Sequence, residues 1–337
     1  MVPPRRRDAG HLNSVVLLGA GFSRNWGGWL GIEAFEYLVG VPEIARNGRL
    51  KQLLWKHQPS GGFEDALAEV QRDVKRSTHA AELEVFQAAI LQMFEMMNSG
   101  YAKRPSLEFQ TDRSMMVHTF LAKFDAIFSL NQDLLLERHY LNDNVMLSDK
   151  RRWDGWQIPG MTLQVDSVQP LQPRSTGIWV PSGSVASSAR LQPLYKLHGS
   201  SNWRDKESSS LLIIGGEKAH AIRAHEILSS YASEFQSRLS RPDTRLMIIG
   251  YGFRDHHINE VISSAVTRGL KFYLIDPAGS GLARSLNPTR HPGMIQQSSP
   301  LEETFEAGLI GASRRRLADI FGDDDVEHSK VMQFFDS

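Results

Sequence analysis

The sequence predicts an α/β protein: a Rossmann-like, doubly wound parallel sheet with a helical module inserted after its first strand. Three observations predict it. Short, almost wholly apolar runs recur at residues 15–18, 124–130, 194–197, 211–214, 245–249 and 270–275, as expected of strands buried on both faces. Between most of them lie segments with apolar residues three and four apart, the strand–helix alternation of a doubly wound sheet. The first run then enters a glycine turn, Gly19-Ala20-Gly21-Phe22-Ser23.

That turn opens the chain's chemistry. Glycines let a strand turn sharply into a helix and let a pyrophosphate approach the backbone near the helix start. Ser23 can cap the helix or donate to a phosphate. The spacing is Gly-x-Gly-x-x-Arg, with Arg24 where the dinucleotide fingerprint places its third glycine. A tight turn without a ligand fits the same residues.

Residues 33–57 carry Phe35, Leu38 and Val39, and residues 63–98 carry Phe63, Leu67, Val70, Leu83, Phe86, Ile90, Met93 and Phe94. These spacings predict helices, as does 113–123, so a helical module spans about 33–123. Residues 150–193 hold five prolines and little periodicity, which predicts an irregular insertion with short strands near 162–166 and 177–180. Helices are expected at about 218–239, after an Asp255 cap to about residue 268, and near 301–321. The domain reading is a basic tail over 1–13, a nucleotide-binding domain over 14–300, and a C-terminal helical tail over 301–337 suited to an interface.

Composition narrows the function. The chain has 337 residues, 41% of them hydrophobic, and 38 basic against 38 acidic residues. Zero net charge argues against an electrostatic grip on nucleic acid. There is no cysteine, which excludes disulfides, cysteine zinc sites and a cysteine nucleophile. No run is long enough to span a bilayer, and the arginine-rich start lacks an export h-region, so a cytoplasmic protein is expected. His256 and His257 tempt a metal reading, but adjacent helical residues diverge and no third ligand is evident, so no metal is expected.

Ligands of open α/β sheets bind at the carboxyl ends of strands. Five such ends are polar or glycine-rich here: the 19–23 turn, Asn131-Gln132-Asp133, His198-Gly199-Ser200, Gly250-Tyr251-Gly252-Phe253 and Asp276-Pro277. Each has a plain structural reading alone, such as a helix cap at Asn131 or Asp133, a structural histidine, or a surface turn at Asp276. In this order they resemble the sirtuin-like (silent information regulator-like) NAD hydrolase domain of bacterial antiphage defence systems, over about residues 14–277. Two departures from protein-deacylating sirtuins matter. The four-cysteine zinc module is absent, so no zinc ribbon is expected, and Trp26-Gly27-Gly28-Trp29 stands where those enzymes carry Ile-Pro-x-Phe-Arg.

The resemblance implies an enzyme that hydrolyses NAD+ to ADP-ribose and nicotinamide, with NAD+ as substrate and no metal. It implies Asn131 orienting water and ribose hydroxyls, His198 as general base, and Asp133 on the nicotinamide carboxamide. It implies Gly19, Ala20, Gly21, Phe22 and Ser23 around the pyrophosphate, Gly250 near phosphates or ribose, and Asp276 near the adenosine ribose. It further implies NAD+ depletion in abortive infection, and activation through a homo-oligomer, a HerA-type ATPase or a short Argonaute partner. Other readings stay open at this point: a non-catalytic NAD or ADP-ribose-binding module, a zinc-free deacylase, and a plain Rossmann oxidoreductase.

Overall fold

The computed structural model describes residues 12–59, 62–74, 80–112, 115–141, 152–164, 177–183, 185–287 and 298–336; most of the basic tail and part of the 150–193 insertion lie outside them. The first apolar run forms strand β1 (Asn13–Leu18), every residue from Ser14 on buried. It lies at the centre of a seven-stranded sheet of order β11-β10-β9-β1-β2-β6-β3, whose pairings are all parallel. The partners are β2 (Ala126–Ser129), β3 (Gly155–Gln157), β6 (Leu191–Lys196), β9 (Thr244–Ile249), β10 (Lys271–Ile275) and β11 (Leu309–Ser313). The doubly wound expectation holds. β1 continues to β2 on one side and meets β9 on the other, so the strand order reverses at its carboxyl end, where such sheets open a crevice.

The helical module is present as α2 (Gly31–Gly40), α3 (Pro42–Arg46), α4 (Gly48–His57), α5 (Phe63–Val74), α6 (Ala80–Ala102) and α7 (Val117–Leu121), after a short α1 (Ala20–Arg24). The apolar spacings that predict them supply their buried faces: Phe35 and Leu38 on α2, Phe63, Leu67 and Val70 on α5, Phe86, Ile90, Met93 and Phe94 on α6. The Asn47 side chain accepts from the Leu50 N–H and starts α4. The remaining helices are α8 (Leu135–His139), α9 (Lys218–Ala224), α10 (Glu226–Leu239), α11 (His256–Val266), α12 (Leu282–Ser285), α13 (Pro300–Gly308), α14 (Leu317–Ile320) and α15 (Asp325–Met332).

A second, four-stranded sheet joins β4 (Met161–Leu163), β5 (Trp179–Pro181), β7 (Gly199–Arg204) and β8 (Ser210–Leu212). β4 and β5 are the short strands expected near 162–166 and 177–180. The insertion also supplies β3 to the main sheet.

The C-terminal segment differs from its expectation. One helix near 301–321 is replaced by α13, β11 and α14. A Ser299–Glu302 capping box and Pro300 start α13. It stops at Gly308, where a side chain would collide with Phe272 and Val266, and the chain joins β10 as the edge strand. The end packs back as well, with the Phe335 ring 5.0 Å from Phe124. Residues 301–336 therefore add an edge strand to the sheet and pack their end on its core.

Candidate active site

The carboxyl ends of β9, β1, β2 and β6 lie side by side. At the centre, the glycine turn runs into α1. Its Gly19 and Gly21 N–H groups donate to Ile249 O and Gly250 O, each at 2.9 Å, and the Phe22 N–H to Gly19 O. A Cβ on Gly19 or Gly21 would come within 2.5 Å or 2.7 Å of Gly250 backbone atoms. The glycines are thus required by backbone packing between the first and fourth polar strand ends, whatever else they contact. Ala20 is exposed, Phe22 turns its ring into the core against Trp26, and Ser23 is buried. Ser23 lies within α1 and does not cap it; the N-cap position is Gly19, with no side-chain bond. Arg24 points outward and pairs with Glu33.

Asn131 ties the end of β2 to this turn. Its Nδ2 donates to Gly19 O and to Ser23 Oγ, both at 2.9 Å. With both amide protons used, the Oδ1 acceptor is the polar side-chain atom it has left. Gln132 is structural: its side-chain amide donates to Ile213 O and its backbone carbonyl accepts from the Ser201 N–H. Asp133 is buried and accepts the Leu135 N–H at 3.0 Å, opening α8. Burial pushes its carboxyl pKa up, and nearby Lys196 and Ser23 oppose that.

Lys196 is a site residue that the sequence reading misses. It is 1% exposed, and its three ammonium protons go to Asp133 O (2.6 Å), Glu137 Oε1 (2.6 Å) and Ser200 Oγ (2.7 Å). The available signal is a lysine ending an otherwise uncharged strand, Leu191–Lys196, just before His198.

The β2–β6 register pairs Ser129 with Lys196, and the Leu197 N–H continues it onto Ser129 O. Asn131 and His198 each lie two residues beyond this last registered pair. The His198 ring is 2% exposed. Burial, with the Lys218 ammonium nearby, pushes its pKa down to about 3, against an opposing pull from Asp255. It is a neutral imidazole at physiological pH. Gly199 follows at φ +73°, where a Cβ would meet Leu211 O at 2.0 Å, so the chain can fold back here into β7 only with glycine.

The segment after β9 reaches across to His198. Asp255 sits at the N-cap position of α11, but its carboxylate makes no cap bond. It instead accepts from Lys218 Nζ at 2.7 Å, and Lys218 also pairs with Glu64 of α5 at 2.6 Å. His257 Nε2 lies 3.2 Å from His198 Nε2. His256 faces solvent beside Glu260, so the two histidines do diverge. What the sequence could not show is that one of them meets a histidine 59 residues earlier. Asp276 ends β10, half-buried, and accepts the Ala278 N–H at 2.8 Å; burial raises its pKa. Of the tryptophans beside the motifs, Trp26 and Trp203 are core residues and Trp29 packs on Tyr37.

Burial also lowers the pKa of His139, His257 and His328. A histidine depressed in the native state resists protonation while the unfolded chain accepts it near pH 6.5. Its contribution to stability is complete above that value and is lost as the pH falls toward the native pKa. Between about pH 7.5 and about pH 5.5, His198 alone should remove about 1 kcal/mol. Urea unfolding at both values tests this. His198→Gln should reduce the difference by that share, separating it from Asp133 and Glu137, whose raised pKa values act in the opposite sense.

A parallel sheet with a glycine turn and polar strand ends at its reversal point has the Rossmann-like, doubly wound α/β architecture. Residues 125–287 match the family model of a SIR2-like domain. The matched region holds Asn131, Asp133, His198, Gly250 and Asp276; the Gly19–Ser23 turn precedes it. Two solved structures resemble the chain at 12% identity and a TM-score of 0.34. One is a crystal structure of Sir2 with the inhibitor EX-527, 2'-O-acetyl-ADP-ribose and a deacetylated p53 peptide, covering 95% of this chain and 93% of that one. The other, described as the structural basis for the mechanism and regulation of Sir2 enzymes, covers 96% and 95%. No curated protein matches the sequence. No helix among the described residues is long and apolar enough to cross a membrane.

Proposed function

We propose that the chain is an NAD+ hydrolase that cleaves the nicotinamide–ribose bond to give nicotinamide and ADP-ribose. The observation that carries this reading is that Asn131 and His198 each follow, by two residues, the last paired residues of two adjoining strands. Asn131 is bonded to the glycine turn with its Oδ1 left over, and His198 is held neutral.

The bond breaks through an oxocarbenium-like state. Nicotinamide leaves as a neutral molecule from a cationic precursor, so no acid need protonate it. The protein must hold the ribose, shield the developing cation and deliver water. Asn131 Oδ1 accepts from the water or a ribose hydroxyl. His198 takes the proton that water releases as it closes on the cationic carbon. Its low pKa makes it a weaker base than the near-neutral optimum, so it takes the proton only after the water has bonded to the cationic carbon. Asp133 receives the nicotinamide carboxamide. The pyrophosphate lies along the Ala20 side of the turn, since neighbouring N–H groups are already committed, and Asp276 takes the adenosine ribose.

With a fluorescent etheno-NAD+ substrate, Asn131→Ala and His198→Ala should each lower turnover by about 10²–10⁴-fold, with melting temperatures recorded alongside. Unchanged turnover in both variants would sink the catalytic reading. Binding without turnover would instead identify a non-catalytic NAD-binding module, and acetyl-ADP-ribose from an acetylated peptide a deacylase.

An NAD+-depleting effector of phage defence must stay silent until triggered. We assign that control to assembly or to a partner chain, an ATPase or Argonaute being the class implied by the resemblance. Support comes from the module's exposed apolar side chains, Ile32 at 58%, Trp55 at 55% and Met96 at 48%. Specific activity should rise with protein concentration or on adding the partner; full activity as a dilute monomer would overturn this.

A further inference from the structure

We propose that His198, His257 and Asp255 form a binding site for one divalent cation of the zinc, cobalt and nickel class. Their ligand atoms all lie within 4.8 Å of one another. They come from two separate parts of the chain, the end of β6 and the start of α11. The two imidazoles present Nε2 to Nε2 at 3.2 Å. Two nitrogens bound to one tetrahedral ion at zinc–nitrogen lengths lie about 3.3 Å apart, so the pair is already spaced as two ligands of a single metal.

Without a cation, one Nε2 must donate its proton to the other. On binding, that proton moves to Nδ1 of the same ring, and both Nε2 lone pairs become available with no change in net charge. Asp255 supplies the third ligand. Lys218 occupies its Oδ1, which leaves Oδ2, and a carboxylate oxygen of Asp255 already lies within 4.8 Å of the histidine ligand atoms. The carboxylates of Asp255 and Glu64 outnumber the Lys218 ammonium between them, so the surroundings are net negative before the ion arrives. Two nitrogens and one oxygen suit borderline ions, while magnesium and calcium prefer oxygen ligands alone. Three protein ligands leave a coordination position for water or an anion.

The site has a consequence for the hydrolase reading, although it does not depend on it. A cation on His198 Nε2 occupies the lone pair that reading assigns to proton transfer, so bound metal and the free base exclude each other.

The test is titration of untagged, EDTA-treated full-length protein with Co2+, without NAD+. A single Co2+ per chain should bind with the visible absorption of a tetrahedral nitrogen–oxygen site and should raise the melting temperature. His257→Ala and Asp255→Asn should each weaken binding by roughly tenfold or more. His256→Ala, which changes the exposed neighbour, should bind as the wild type does. Circular dichroism of each variant before titration establishes that it is folded, and Asp255→Asn, which keeps size and shape, serves if His257→Ala is not. Absence of saturable binding, or binding indifferent to His257 and Asp255, overturns the proposal. Because the readout contains no NAD+, failure here leaves the hydrolase reading standing, and the reverse also holds.

Discussion

Replacing Lys196 with alanine should destabilise the protein by about 3–5 kcal/mol, measured by urea unfolding at neutral pH. The ammonium is desolvated, and all its protons are spent on Asp133 O, Glu137 Oε1 and Ser200 Oγ. Removing it strands Glu137, whose carboxyl is buried with Oε2 already lacking a protein partner among the described residues. Burial raises the Glu137 pKa, and the lysine is what opposes that. The expected escape is protonation of Glu137, so the loss should shrink as the pH falls. A double change, Lys196→Met with Glu137→Leu, removes both charges and should recover most of the stability. A Lys196→Ala loss below about 1 kcal/mol would show that the pair is not the fastening described. Two of these bonds, to Asp133 O and Glu137 Oε1, hold the 131–137 segment to β6. Lys196 therefore acts on the candidate site as a positioning residue, and the double variant should keep its fold while shifting substrate KM more than kcat.

Gly250→Ala is expected to be nearly as damaging, at about 2–5 kcal/mol from left-handed backbone strain plus overpacking. Gly250 has φ +62°, and a Cβ there would lie 2.4 Å from Gly21 C and Phe22 N. Both atoms are backbone in a turn fixed by bonds to Ile249 and Gly250, so neither moves cheaply. By contrast Gly252, one residue beyond Tyr251, has open space where a Cβ would stand. Gly252→Ala should be close to neutral in thermal unfolding. If both substitutions are equally mild, the contact between the two turns is not what demands glycine.

This pair of glycines shows how far the sequence could be read. The turn at 19–23 was legible as a strand-to-helix junction, and ligand approach was the reason offered for its glycines. The structure adds a second reason, the partner turn at Gly250. Nothing local in either segment announces a contact between residues 231 positions apart. Asn131 and His198 were legible as polar groups at strand ends, but that their strands adjoin needed the β2–β6 pairing. The C-terminal helix was misread because Leu301, Phe305, Leu309, Leu317 and Phe321 keep a helical spacing across a break that Gly308 and the free edge of β10 impose.

By itself the sequence determined the parallel α/β class, the helical module, the absence of any cysteine-based zinc ribbon and the set of polar strand ends. Those follow from local periodicity and composition, which act over a few residues. Only the tertiary structure decided which of those ends meet. It placed a buried lysine beneath Asp133, spent the Asn131 amide on the glycine turn, and brought His257 and Asp255 to His198. Each of these is a contact between segments far apart in the chain, set by strand order, register and burial. Those are properties of the packed sheet that no short window of sequence contains.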